Sequence, residues 1–200
     1  MYLRTNEETE VANALRFAAR LSSELQADPT YWRWIIVAVH NAAQGMMVLS
    51  LRHGNGFLTL TDECFKETLQ AHKCNQTPPP QRLDTYLNLY KKVKSPNTGQ
   101  IGSNKRFCPK ATQGISIRRL NALRNDFSHF TPMHWSLELD GLPQICRDVL
   151  ALISFLGWQT QNVHWHAEES PEVCQAATAE LQLAMNRLDQ HYAKQRVKAC

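Results

Sequence analysis

The sequence predicts an all-α protein, a helical bundle of about four core helices with additional N- and C-terminal helices. Three observations carry this expectation. Apolar residues recur every three to four positions along most of the chain, and few segments alternate with period two. The main Gly and Pro clusters fall between the periodic segments. At 200 residues the chain is one ordinary domain, able to bury a hydrophobic core without metal or disulfide staples.

The first helix is expected from about Asn6 to Leu25, with Val11, Ala14, Leu15, Ala18, Leu21 and Leu25 along one stripe. "ADPT" ends it and starts the next, since Asp28 can cap and Pro29 suits a first helical turn. The second helix, Pro29 to Leu51, is apolar nearly all round and should be central, and "RHGNG" stops it at Gly54 and Gly56. Asp62 is the expected cap of a short third helix reaching about His72. The prolines of "KCNQTPPPQ" keep a loop extended. In "RLDTYLNLYKKV", Leu83, Tyr86, Leu87 and Tyr90 have helical spacing.

A long polar and basic loop starts near Ser95. Loops of this length in compact domains are often functional. In the next helix, Ser116 is the expected cap and Ile117, Leu120, Leu123 and Phe127 the core face. Pro132 should end it near Phe130. "WSLEL" reads as a short extended link. Leu142 to about Trp165 reads as one long helix, and Pro171 opens a last helix to about Lys198. No repeat or second domain is visible. The reading is one domain over 1–200, with a core of about 30–165 and flanking helices over 6–25 and 171–198.

Composition narrows the function classes. "WIIVAVHNAAQGMMVL" is short of a membrane span and is interrupted by His40, Asn41 and Gln44, so a buried core helix is expected and no membrane partner. The N-terminus carries acids early and lacks an apolar signal region, which makes a cytoplasmic location the expectation. The six cysteines form no CxxC pair, so reduced thiols are expected rather than a zinc or redox site, and Cys200 should be exposed. His164 and His166 of "HWH" lie about 200° apart on a helix, a poor geometry for chelation. No metal or cofactor is expected.

Net charge is only +4, but it is unevenly spread. Between Lys91 and Arg124 there is no Asp or Glu, whereas Lys91, Lys92, Lys94, Lys105, Arg106, Lys110, Arg118 and Arg119 are all basic. Such a block suits a polyanion partner, or is a solvated loop. Next to it stands "ALRNDFSHF", with Arg124, Asn125, Ser128 and His129. Arg124 and His129 are five apart, about 140° round a helix, so they do not share a face. Asn125 and His129 are four apart and do. His134 and Trp135 follow and could stack on a base, although Trp135 is more readily a core anchor. His40, Asn41 and Gln44 form a second polar group, either supporting the motif from below or satisfying one another within the core.

The motif Arg124, Asn125, His129, with the upstream helix "WRWIIVAVHNAAQG" and the trailing "HFTPMHWSLEL", resembles the HEPN superfamily over roughly Thr30 to Trp165. The resemblance implies a bundle of about four helices, usually a homodimer with the two motifs facing across the interface. It implies a metal-independent RNA endonuclease of bacterial toxin or defence type, sometimes paired with an antitoxin or other partner protein. In that role His129 is the acid and base, Arg124 stabilises the phosphorane and Asn125 orients. Some members are catalytically silent modules that bind a partner protein or nucleotide, and that is the alternative expectation. The terminal helices and the long basic loop lie outside a bare family core.

Overall fold

The computed structural model describes residues 2–3, 5–52, 55–96, 105–129, 136–166 and 170–199. The expectations for Gly54, for the helix end at Phe130, and for Pro132, His134, Trp135 and Cys200 fall outside the described residues, as does the middle of the basic loop.

Among the described residues, seven α-helices make the fold: α1 Glu7–Ser22, α2 Trp32–Leu51, α3 Asp62–Lys73, α4 Tyr86–Lys94, α5 Gln113–Ser128, α6 Leu142–Ser154 and α7 Ser170–Ala199. The protein is an all-α packed bundle. Among the described residues the one extended pairing is an isolated antiparallel bridge between Leu60 and Leu83.

The chain's most apolar helix takes the middle. α2 packs against α1, α4, α5 and α6, and α7 closes over α1 and α6. Ile35, Ile36, Val39, Ala42, Ala43 and Met46 of α2 are fully buried. Length and composition alone would let Pro29–Leu51 cross a membrane, yet 67% of its most apolar window is buried by the neighbouring helices. α1 and α7 belong to the same core, since Val11, Leu15, Leu181 and Met185 have no exposed surface. α1 lies so close to α2 that a Cβ placed on Gly45 would stand 2.5 Å from Val11 Cγ2. The indole N–H of buried Trp32 donates to the Tyr192 hydroxyl at 3.0 Å, tying α2 to α7.

The helix starts follow capping chemistry. Asn6 accepts from the Thr9 N–H at the head of α1. Asp28 accepts from the Thr30 N–H, and Pro29 opens a short 3₁₀ turn, Pro29–Tyr31, that leads into α2.

Four expectations are corrected. The cap of α3 is Thr61, whose hydroxyl accepts from the Cys64 N–H; Asp62 is the first helical residue and adds its charge to the positive end of the helix. Leu83 is not on the core face of α4; it precedes the helix, sits in the bridge to Leu60 and is half exposed. Ser116 is not a cap, because α5 begins at Gln113; its buried hydroxyl donates to the Asp148 carboxylate on α6 at 2.5 Å. The helix begun at Leu142 does not continue to Trp165. It loosens into a π turn at Phe155–Gln159, and Gln161 adopts a positive φ of 59°. Gly157 in that turn fits closely, with Met46 Cε 3.2 Å from where its Cβ would be.

The basic loop is partly anchored. Phe107 is buried against the rings of Tyr90 and Phe155, and its N–H donates to the Val93 carbonyl at 3.0 Å.

Candidate functional site at the C-terminal half of α5

α5 brings the motif to the bundle because Ile117, Leu120 and Leu123 are fully buried and hold it against α2 and α6. That registration sets which side chains of the last two turns face α2. Arg124 does. Its Nε–H donates to Nδ1 of His40 at 3.4 Å. The other ring nitrogen of His40 lies 3.1 Å from the Asn121 carboxamide oxygen. Nδ1 accepts, so the ring proton is on Nε2 and goes to Asn121. One imidazole thus bridges two residues a helical turn apart on α5.

His40 has no exposed surface, and its ring stacks on Tyr86 of α4 with centroids 4.0 Å apart and planes at 21°. Burial pushes its pKa down to about 4, and the Arg124 charge adds to that; hydrogen bonds with Asn121 and Asn41 oppose the shift only in part. His40 is therefore neutral at pH 7. The consequence for Arg124 is electrostatic. A carboxylate in this place would orient the guanidinium but cancel its charge. A neutral imidazole orients it and leaves the charge intact. Arg124 makes no other hydrogen bond to a described residue, so both Nη groups are available. The Tyr86 and Tyr90 hydroxyls are buried without a partner among the described residues, and burial raises the pKa of both.

His129 ends the helix. It is the C-cap, with φ −111° and ψ 86°, and its N–H donates to the Asn125 carbonyl at 2.9 Å. Its side chain is exposed. Asn125 is half-buried, and Ser128, the last helical residue, is exposed. Arg118, Asn121 and Asn125 repeat at three- and four-residue spacing, so they form one stripe along α5 that leads towards His129. Arg33 of α2 also reaches this end, donating from Nη2 to the Phe127 carbonyl at 3.1 Å, a cation on the negative pole of the helix.

The expected supporting group divides. His40 lies under Arg124. Asn41 and Gln44 line a groove between α1, α2 and the Leu60–Leu83 bridge, and Asn41 also hydrogen-bonds His40. The basic residues divide as well. Lys92 is held by the buried Asp84 carboxylate at 2.7 Å and by the Leu60 carbonyl at 2.5 Å. Lys94 lies over the Tyr90 ring at 4.4 Å, Lys91 donates to Asn88 and Lys105 to the Gln159 carbonyl. Arg106, Lys110, Arg118 and Arg119 are exposed. His166 is occupied elsewhere: its Nδ1 lies 2.8 Å from the buried Glu8 carboxylate, which also accepts its N–H.

Asn121, Tyr86, Tyr90 and Arg33 were not foreseen from the sequence. Asn121 carried a usable signal, standing one turn before Arg124 on the same helix. The two tyrosines carried none, since their spacing reads equally as plain core.

Fold and site together define a class. This is an all-α bundle with a charge-retaining arginine pinned inside one helix and an exposed histidine at that helix's end. Comparison with family models, curated proteins and solved structures gives no match.

Proposed function

We propose that the chain is a metal-independent RNA endonuclease of the bacterial toxin or defence type, acting as a homodimer in the cytoplasm. His129 takes the 2′-OH proton and later returns one to the 5′-oxygen. The Arg124 fork binds two oxygens of the phosphorane, and Asn125 orients the phosphate or the histidine. The products are a 2′,3′-cyclic phosphate and a 5′-OH, and DNA, lacking the 2′-OH, is not cut. Exposed Arg106, Lys110, Arg118 and Arg119 hold the RNA backbone.

The observation that carries this reading is the buried, neutral His40 that orients Arg124 without neutralising it. A purely structural arginine would be expected to meet a carboxylate. The test is incubation of purified protein with total RNA in EDTA. Wild type should cleave, and His129→Ala should lose cleavage while keeping its circular dichroism and dimer. Mixing Arg124→Ala with His129→Ala should restore part of the activity, because a mixed dimer holds one intact composite site. An unchanged rate in His129→Ala would sink the assignment.

A further inference from the structure

The groove lined by Asn41 and Gln44 contains neither Arg124 nor His129. It has a volume of about 830 Å³ and lies between the start of α1, the middle of α2 and the Leu60–Leu83 bridge. That volume is within the range of binding clefts. Three features of its walls go together.

Gln81 and Leu83, which line one wall, carry backbone left open beside an isolated bridge. The Thr61 N–H donates to the Arg82 carbonyl at 3.0 Å and the Asp84 N–H to the Thr59 carbonyl at 2.9 Å. This pattern makes Leu60 and Leu83 a pair that does not exchange hydrogen bonds, so the N–H and C=O of Leu83 point away from residues 59–61. Neither group has a partner among the described residues. Leu83 is 48% exposed, a large apolar side chain beside an unpaired edge.

The second feature is available amide chemistry. The carboxamides of Gln44 and Gln81 make no hydrogen bond to another described residue, and both line the groove. The third is charge. Among the described residues that line the groove, the charged ones are Glu7, Glu10 and Arg52, and Arg52 lies 3.1 Å from Glu7. Among the described residues, the Glu10 side chain meets only the Thr5 hydroxyl. The described lining is therefore acidic by one charge, in a chain that is basic overall.

We propose that this groove is a docking site for an extended segment of a partner protein carrying Lys or Arg, which pairs as a strand with the free edge at Gln81–Leu83. The Leu83 N–H and C=O supply the main-chain pairing, Gln44 and Gln81 bind the next peptide groups, Leu83 packs under an apolar side chain, and Glu10 receives the cation. Nothing in this requires the chain to be a nuclease.

The probe is a displayed library of random decapeptides panned against the full chain. Enrichment should give peptides with alternating Lys or Arg, whose binding perturbs the amide resonances of Gln81–Leu83. N-methylation of alternate peptide bonds should abolish binding, since it removes the pairing donors and keeps the charge. Leu83→Asp should weaken binding at least tenfold. Glu10→Gln should weaken it about threefold and flatten its salt dependence. Both residues are on the surface and neither touches the Arg124 site, so RNA cleavage is an independent control. No enrichment, enriched peptides that footprint elsewhere, or N-methylated peptides that still bind would each overturn the proposal.

Discussion

His40→Phe separates the two roles that one side chain plays. Phenylalanine keeps an aromatic ring stacked on Tyr86 but removes both ring nitrogens. Two hydrogen bonds go, one to Asn121 at 3.1 Å and one from Arg124 at 3.4 Å. Half-buried Asn121 loses its partner, which costs about 1–2 kcal/mol. The Arg124 bond is long and its donor can turn to water, so its loss adds little to stability. An apolar ring also no longer has to bury two polar nitrogens, an offset in the other direction. The net effect on unfolding should be small, within about 1–2 kcal/mol. On the proposed nuclease reading, cleavage should respond more strongly. With its fork free to rotate, Arg124 loses the pre-set geometry that makes it effective, and misplacement of this kind costs on the order of 10²-fold. Urea unfolding followed by circular dichroism gives the first quantity. Initial rates on a short labelled RNA, at saturating and at low concentration, give the second. The loss should fall on kcat, because orientation acts in the transition state. A variant that unfolds like the wild type and cleaves at the wild-type rate would refute the idea that His40 positions Arg124.

Other consequences follow from the same contacts. Burial raises the Asp84 pKa, but hydrogen bonds from Lys92, Asn88 and Thr85 outweigh it and hold the carboxyl below its usual value. Lys92→Ala should therefore cost about 2–3 kcal/mol in a urea melt, while the salt dependence of RNA binding stays as in the wild type. His40, held near 4 when folded against about 6.5 when unfolded, makes the unfolded chain the better proton binder. Stability should fall as the pH drops from about 6.5 towards 4, by up to ~3 kcal/mol, and His40→Phe should remove that slope in melts taken across the range. Gly45→Ala would bring its Cβ to 2.5 Å from Val11 Cγ2. Valine cannot swing aside, so α1 and α2 must separate, at about 1–3 kcal/mol in the same assay.

The helical class, the central place of α2 and the cap at Asp28 were legible because each rests on local sequence. Periodicity, a long and mostly apolar run and a capping residue before proline act within one element. The errors came from tertiary contacts. Ser116 looks like a cap, but Asp148 of α6 draws its hydroxyl inward and the helix begins earlier. Leu83 has helical spacing with Tyr86, yet pairing with Leu60 takes it into a bridge. Trp158 and Gln159 continue the pattern of α6, but the chain unwinds there through a π turn. The same limit applied to the site. Helix periodicity put Arg124 and His129 on different faces, but no local signal could say that Arg124 faces an imidazole 84 positions earlier in the chain.

The tether to His40 bears on how the motif would work. α5 stays regular through Ser128, so Arg124 and His129 remain about 7.5 Å apart along the axis. An acid or base must come within about 3 Å of the proton it moves. A free arginine could swing towards the helix end to meet the same phosphate as His129. One whose Nε is bound to a buried ring gives up that bond to do so. The tether thus favours pairing Arg124 with a histidine from elsewhere. In a homodimer with the α5 ends facing, the partner's copy of the histidine fills that place. This is why the mixed Arg124→Ala and His129→Ala sample is more informative than either variant alone. Recovery upon mixing requires the two groups to come from different chains, whereas a site built within one chain predicts no recovery at all.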